Sequence, residues 1–378
     1  MLLKKLILTL IFIIIFSFSV YSADEPGISA HSAVLINAQT KEILYEKNAF
    51  TQRSMASTTK IMTAVLAIES GRLSEIVTAE NMQAEGSSIG LENGNKLTLE
   101  TLVWGMLLES GNDAAKLTAN YLAGDEKAFS DLMNEKAEML GMCNTNFVTA
   151  SGLDDEFHYS TAYDMALLGA YAVDNPIFRD MCSTKRKTIS FIEPEISKTF
   201  SNHNKLLTYY EGVIGIKTGF TKKSGRCLVS ACERNGSVLV AVTLNAGDDW
   251  NDHMKLFDYG FDVCDSNEVY IRLPDKIKVC GGYGSYAEIA LIENPVRIAF
   301  KKGTQLTQKI YTPKFIYAPV NKGDIIGKAQ LLFDGGVVYE CAVVSQSDVK
   351  AIDPIPEKDN LIKRLFSNIK DFINNRKD

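Results

Sequence analysis

The pattern of hydrophobic and polar positions divides the first two thirds of the chain into a helical segment flanked by strands. Apolar runs at 32–36 and 42–45 enclose a turn and predict a hairpin. From Ser57 to Glu69 the apolar positions recur with a period of about 3.6 residues, which predicts a buried helix. The same period indicates further helices at 99–109, 113–122, 127–140 and 162–173. The segment from 57 to about 180 is therefore predicted to be mainly helical.

Strand patterns return in the second half of the chain. Apolar runs at 212–216, 227–232 and 238–244 predict three strands, and Asn235-Gly236 between the last two is a strong hairpin signal. A helical pattern at 254–259 follows. We therefore predict an α+β domain over 23–265, in which helices pack on one antiparallel sheet. From 270 to 350, short β runs broken by Gly, Asn and Pro predict a small all-β sandwich domain.

Both ends of the chain carry patterns typical of an exported protein attached to a membrane. Two lysines, an apolar run at 6–20 and small residues indicate a signal peptide over 1–22, with an uncleaved N-terminal anchor as the alternative. A Pro-containing linker at 351–357 precedes a predicted amphipathic helix at 358–378. We expect this helix to lie on the outer face of the cytoplasmic membrane, with packing against the body of the protein as the alternative.

Composition narrows the possible functions. A chain of 378 residues is too long for one ordinary hydrophobic core, so we expect two domains. The net charge of −6 and the lack of a long Lys/Arg cluster argue against nucleic-acid binding. Seven cysteines form an odd set without a C-x-x-C pair, so we expect mostly free thiols. The four histidines lack the spacing of a zinc site. No metal or other cofactor is expected.

The first candidate for chemistry is Ser57-Thr58-Thr59-Lys60, at the start of the first long helix. Three residues make about one helical turn, so Lys60 projects beside the Ser57 hydroxyl. A lysine whose pKa is lowered by burial and nearby positive charge is a suitable base for a serine nucleophile. The pattern alone is weak, because Ser367-Asn368-Ile369-Lys370 has the same form.

Two further motifs supply complementary groups. Ser110-Gly111-Asn112 lies between predicted helices, where a simple turn is the competing interpretation, but its hydroxyl and amide also suit proton relay and amide binding. Lys217-Thr218-Gly219 ends a predicted strand, where ammonium and hydroxyl groups suit a carboxylate and glycine allows close approach. Lys223-Ser224-Gly225 is similar but follows a predicted turn, so we prefer Lys217.

In this order and spacing, the three motifs resemble those of the low-molecular-mass penicillin-binding proteins, the serine-type D-alanyl-D-alanine carboxypeptidase family. The resemblance runs from about Ala30 through the tail and includes Ser151-Gly152-Leu153-Asp154 and the segment 215–221. It implies a penicillin-binding/β-lactamase-like fold and an exported enzyme that removes the terminal D-alanine from peptidoglycan stem pentapeptides. It also implies that β-lactams acylate the enzyme.

The resemblance implies a role for each motif residue. Ser57 would be the nucleophile, Lys60 its base and Ser110 the proton relay to the leaving amine. Asn112 would bind the substrate amide, and Lys217 and Thr218 would bind the terminal carboxylate. The N–H groups of Ser57 and Phe220 would bind the oxyanion, with Gly219 beside them in the binding strand. Losing one oxyanion donor typically raises the barrier by about 3–4 kcal/mol.

One position departs from the family pattern. Where many relatives carry an arginine that assists carboxylate binding, this chain has Asp249. An acid there would repel the substrate carboxylate, so either Asp249 points away or the activity is weaker or altered. His253 is expected to be structural.

Three other functions share parts of the pattern. A class A β-lactamase is disfavoured by the trailing β domain, and a β-lactam sensor by the lack of spanning helices. A non-catalytic wall-binding protein is disfavoured by the intact motifs.

Overall fold

The computed structural model describes residues 24–82, 85–353 and Asn368. The predicted signal peptide at 1–22 lies outside these described residues, as do the predicted tail helix at 358–378, apart from Asn368, and the serine and lysine of the second S-x-x-K pattern. Within the described residues, no helix combines the length and the apolar character needed to cross a membrane.

The first part of the chain contains a mainly helical segment flanked by the strands of one main sheet. Its elements are β1 (Ser32–Asn37), β2 (Ile43–Lys47), a 3-10 helix (Ala56–Thr59), α1 (Lys60–Glu69), β3 (Ile76–Thr78), β4 (Lys96–Thr98), α2 (Leu99–Leu108), α3 (Asn112–Ala123), α4 (Glu126–Met139), α5 (Ala162–Asp174), α6 (Pro176–Ser183), β5 (Arg186–Phe191), β6 (Ile196–Ser201), α7 (Leu206–Tyr209), β7 (Val213–Thr221), β8 (Gly225–Arg234), β9 (Ser237–Ala246) and α8 (Asp249–Val263).

The main sheet is antiparallel and has the order β2-β1-β9-β8-β7. Strand β1 is buried on both faces. Val34 and Ile36 pack into the core on the side of α1, α2 and α5, whereas Leu35 packs on the opposite side with Leu256 and Phe257 of α8. Alternate side chains of a strand point to opposite faces, so helices cover both faces of this sheet. The predicted α+β fold class is confirmed.

The structure corrects several predicted elements. The segment starting at Ser57 begins as a 3-10 helix, and α1 proper starts at Lys60. Strand β7 does not end before Lys217-Thr218-Gly219 but runs through it to Thr221, because pairing with β8 continues to Gly225. Helix α8 is longer than predicted. The hairpin of β5 and β6 was not predicted, since most of its side chains are exposed and its apolar alternation is weak.

The second part of the chain is all β, as predicted. Its strands are β10 (Cys264–Val269), β11 (Lys276–Cys280), β12 (Tyr286–Leu291), β13 (Val296–Lys301), β14 (Thr307–Tyr311), β15 (Phe315–Tyr317), β16 (Ile325–Phe333) and β17 (Gly336–Ser345). They form a six-stranded sheet and the pair β10-β13, which share one apolar core. Glu42 joins this part to the first, because its carboxylate accepts hydrogen bonds from Lys301 N and Thr304 Oγ1.

Candidate active site

Lys60 lies directly behind the Ser57 hydroxyl. Its Nζ is 2.9 Å from Ser57 Oγ, 2.6 Å from Asn112 Oδ1 and 2.6 Å from the Ser151 carbonyl oxygen. The amide and carbonyl oxygens can only accept hydrogen bonds, whereas the serine hydroxyl can also donate one. These three partners fit a neutral amine that donates two N–H groups and directs its lone pair at the serine proton, and they equally fit an ammonium that donates to all three oxygens.

The surroundings favour that neutral form. Lys60 is fully buried, and burial lowers its pKa well below the usual lysine value. The positive charge of Lys217 lowers this pKa further, while Asp113 acts in the opposite direction. The predicted pairing of Ser57 with a lysine base thus has both the contact and the electrostatic environment that it requires.

The turn between α2 and α3 brings the second motif to the same place. Ser110 has a left-handed backbone with φ of +63°, as a tight turn allows, and Asn112 is the first residue of α3. Asn112 Nδ2 donates to the Glu85 carbonyl at 2.6 Å, which fixes the side-chain amide with its oxygen towards Lys60. Asn112 thus mainly fixes the position of the Lys60 amine through its side-chain oxygen.

Asp113 is a site residue to which we had assigned no role from the sequence. It is buried and accepts hydrogen bonds from the backbone N–H groups of Ile89 and Leu91, both at 3.0 Å. These contacts fix the loop that carries Glu85 and Ser87 against the start of α3. The sequence indicated only an acid in the first turn of a helix, where its negative charge interacts favourably with the helix dipole. It could not indicate the loop contacts, because the loop residues are distant in sequence.

Strand β7 forms the opposite wall. Lys217 is buried, burial lowers its pKa to about 7, and its Nζ donates to the Thr218 carbonyl at 2.9 Å. At Gly219 the strand approaches the 3-10 helix so closely that a Cβ atom would lie 2.9 Å from Ser57 N. A glycine is therefore needed here for close packing between β7 and the 3-10 helix.

A cleft of about 450 Å³ opens between these walls. Five of the eight predicted site residues line it: Ser57, Ser110, Thr218, Gly219 and Phe220. Lys60 and Lys217 are buried behind this surface, and Asn112 lines a neighbouring pocket with Glu85 and Ser151. The structure thus gathers all eight predicted residues around one cleft, and adds Ser87, His203, Arg226, Asp249 and Trp250 to its lining.

Asp249 does not present a free negative charge to this cleft. Its side chain is only 4% exposed, and Arg226 Nε and Nη2 lie 2.8 and 2.7 Å from its Oδ1 atom. Arg226 is on β8, opposite Phe220 of β7, and its guanidinium lies 5.7 Å from the centre of the Trp250 ring. The acid that departed from the family pattern therefore forms an ion pair with a cleft-lining arginine that the sequence analysis did not single out.

Two buried histidines stabilise elements around the site. His158 accepts from Val148 N at Nδ1, so Nε2 carries the proton that points to Thr59 Oγ1, 2.8 Å away. Burial lowers the pKa of His158 to about 4 and that of His253 to about 3. His253 bonds Ser230 and Thr243 on the sheet, which agrees with the structural role expected for it.

The competing lysine motif lies in the turn after β7. Ser224 there exchanges hydrogen bonds with Thr221, and Lys223 donates to the Asp155 carbonyl. Neither residue lines the cleft among the described residues. This placement favours Lys217 over Lys223 as the site lysine.

Comparison with known proteins gives concordant matches over both parts of the chain. The family model described as D-alanyl-D-alanine carboxypeptidase matches residues 19–248, and that of the penicillin-binding protein 5 C-terminal domain matches 266–351. D-alanyl-D-alanine carboxypeptidase DacF of Bacillus subtilis (strain 168) is 32% identical over 86% of this chain and 87% of its own length. A crystal structure of penicillin-binding protein 5 from Haemophilus influenzae is similar with a TM-score of 0.64 and 26% identity, over 87% of this chain and 99% of that one.

Proposed function

The chain belongs to the D-alanyl-D-alanine carboxypeptidase family and is a serine-type peptidase of the penicillin-binding protein class, and we propose that Ser57 is its nucleophile. The enzyme releases the terminal D-alanine of peptidoglycan stem peptides by way of an acyl-enzyme. The observation that carries the assignment of Ser57 is the 2.9 Å contact between its Oγ and the buried Nζ of Lys60, at the base of an open cleft.

Acylation begins with proton transfer. The lone pair of neutral Lys60 accepts the Ser57 proton, and Ser57 Oγ attacks the carbonyl carbon of the penultimate D-alanine. The resulting oxyanion is bound by the backbone N–H groups of Ser57 and Phe220. The close packing of Gly219 on Ser57 N supports this pairing, because it brings β7 beside the 3-10 helix.

Collapse of the tetrahedral intermediate requires a proton on the leaving amine. Ser110 lines the cleft with Ser57 and lies two residues before Asn112, which contacts Lys60; we assign its hydroxyl the transfer of the proton from Lys60 to the amine of D-alanine. Water then hydrolyses the ester on Ser57. A β-lactam presents an equivalent carbonyl and carboxylate and acylates the same oxygen.

Substrate binding uses the remaining motif residues. Thr218 in the cleft and the ammonium form of Lys217 hold the terminal carboxylate. Asn112 holds Lys60 through its oxygen, and its Nδ2 group has a second N–H for the carbonyl of the substrate amide.

The remaining assignments concern the parts of the chain around the catalytic domain. We propose a signal peptide at 1–22, a linker at 351–357 and an amphipathic helix at 358–378 that binds the outer face of the cytoplasmic membrane. These assignments rest on the sequence patterns and on a substrate that lies outside the cytoplasm. We place the end of the catalytic domain at Val263, the last residue of α8 and slightly before the 265 predicted from sequence, because β10 starts at Cys264 and pairs with β13 of the β domain.

The test is D-alanine release from a D-Ala-D-Ala pentapeptide, with fluorescent penicillin labelling in parallel. Ser57→Ala is expected to abolish both signals, whereas Ser54→Ala, which loses only a contact with Asp154, should retain them. Lys217→Ala should lose peptide turnover and Lys223→Ala should not. Labelling without release would favour a β-lactam sensor, and absence of both from the wild-type protein would favour a non-catalytic wall-binding protein.

A further inference from the structure

The carboxylate-binding part of the cleft contains a cation outside the three motifs. Arg226 lines the cleft together with Ser57, Thr218 and Gly219, and its side chain is 44% exposed. Directly opposed residues of antiparallel strands point to the same face of a sheet. Arg226 therefore lies on the same face as its partner Phe220, which follows Lys217-Thr218-Gly219 on β7. The arginine therefore reaches the end of the cleft where a terminal carboxylate would meet β7.

Asp249 holds this arginine in place without occupying all of its donors. Nε and Nη2 both bond to the single atom Oδ1, and a guanidinium has five N–H donors in a planar fork. Within residues 24–82 and 85–353, Nη1 makes no hydrogen bond. The nearby Trp250 ring faces the guanidinium, which restricts it further. A cation with free N–H groups is thus preorganised on the wall of the cleft.

We propose that Arg226, positioned by Asp249, binds the terminal carboxylate of the substrate and makes the enzyme selective for peptides that end in a free carboxyl group. This inference rests on the proposed function and assigns to β8 the cation that the departure at Asp249 had removed. Asp249 is then a positioning residue and not a source of repulsion. The same contact selects β-lactams that carry a free carboxylate.

The physical basis is a charge-assisted hydrogen bond in a partly desolvated cleft. Such bonds are roughly twice as strong as neutral ones, and losing one typically lowers affinity by about ten- to a hundredfold. Lys217 supports the same ligand, but burial lowers its pKa to about 7, so its charge changes near neutral pH. The guanidinium keeps its charge throughout this range.

The experiment compares two substrates that differ only at the C-terminus. For wild type and Arg226→Gln, kcat/KM is measured on a D-Ala-D-Ala peptide and on its C-terminal carboxamide, and acylation rates are measured with benzylpenicillin and its methyl ester. Arg226→Gln should lose about ten- to a hundredfold on the carboxylate compounds, mostly through KM, and less than about threefold on the uncharged ones.

Further variants separate binding from folding. Arg226→Gln leaves Asp249 buried without its partner, so Arg226→Gln/Asp249→Asn removes both charges and should show the same selective loss. Asp249→Asn alone keeps the Oδ1 acceptor and the Arg226 charge but loses the ion pair, so it should weaken the carboxylate preference less than Arg226→Gln does. The matched control is Arg234→Gln at the other end of β8, where the guanidinium lies over the Tyr210 ring.

The outcomes distinguish this inference from the proposed function. If the wild-type protein neither releases D-alanine nor reacts with benzylpenicillin, the proposed function itself fails. If the wild type is active and the double variant loses equally on charged and uncharged compounds, or on neither, Arg226 does not bind the carboxylate. A lost preference in Arg234→Gln would also overturn the assignment.

Discussion

Gly219→Ala tests whether the close approach of β7 to the nucleophile sets the catalytic rate. The added Cβ would lie 2.9 Å from Ser57 N, 3.1 Å from Ala56 Cβ and 3.1 Å from the Met55 carbonyl oxygen. Two of these three atoms belong to the backbone, so no side-chain rotation relieves the contacts. Gly219 itself has no left-handed φ, and the substitution therefore acts through sterics alone. Either β7 or the 3-10 helix must move by a few tenths of an ångström.

The expected effect on catalysis exceeds that on stability. Overpacking of this kind typically costs about 1–3 kcal/mol, which is less than the total stability of about 5–15 kcal/mol for an ordinary domain. The protein should therefore fold. Displacing Ser57 N removes one donor of the proposed oxyanion site, and a lost donor lowers kcat by roughly 100- to 1000-fold.

The assay is the acylation rate with fluorescent penicillin, with thermal unfolding measured on the same samples. Gly247→Ala is the matched control, because its Cβ would meet Ser29 Oγ at 3.6 Å, an ordinary contact. It should acylate like the wild type. An acylation rate for Gly219→Ala within about threefold of wild type would refute the reasoning, and so would a loss of rate accounted for by unfolded protein.

Three other predictions concern charge. Lys217→Met removes a positive charge that lowers the Lys60 pKa, so the acid limb of the penicillin acylation rate should move to higher pH; an unmoved limb would contradict the coupling. The buried His253 has its pKa lowered from 6.5 to about 3, so its contribution to stability is complete above pH 6.5 and is lost as the pH falls towards 3. Between pH 6.5 and 4, the free energy of unfolding measured with urea should therefore depend less on pH in His253→Gln than in wild type, by up to about 1.4 kcal/mol per pH unit. The control His31→Gln, at an exposed position, should match wild type. Asp113→Asn should lose at least one of the loop contacts at Ile89 and Leu91, and should lower stability by about 1–3 kcal/mol in thermal unfolding. It should also slow acylation by penicillin. An unchanged acylation rate would show that this loop does not hold Asn112.

Elements with strong periodicity were predictable from the sequence because local patterns determine them. The hairpin at Asn235-Gly236 is an example: Asn235 has a φ of +51°, the left-handed backbone that such turns require. The hairpin of β5 and β6 shows the opposite case, since pairing through exposed Thr and Ser side chains leaves little hydrophobic signal. The extent of β7 was also missed, because its continuation depends on pairing with β8 and not on its own residues.

The same distinction applies to the site. The motifs singled out Ser57, Lys60 and Lys217 as candidates, because each motif is a short pattern that can be read directly from the sequence. The roles of Asp113 and Arg226 come from partners distant in sequence: the carboxylate of Asp113 bonds a loop 22–25 residues before it, and Arg226 bonds an acid 23 residues after it. Asp249 is an example: the sequence left open whether its side chain points away from the substrate or repels it, and the structure pairs its carboxylate with Arg226.

The roles proposed for the two buried lysines have opposite requirements, and their surroundings account for both. Lys60 must be neutral to accept the Ser57 proton, and burial together with the charge of Lys217 lowers its pKa in that direction. In its proposed role Lys217 must be charged to bind a carboxylate, and a bound carboxylate would raise its pKa from about 7 by favouring the ammonium. A substrate with a free carboxyl group therefore charges Lys217 when it binds. Under the proposed role of Arg226, its guanidinium attracts the carboxylate even while Lys217 is neutral, since the guanidinium charge does not depend on pH near neutrality.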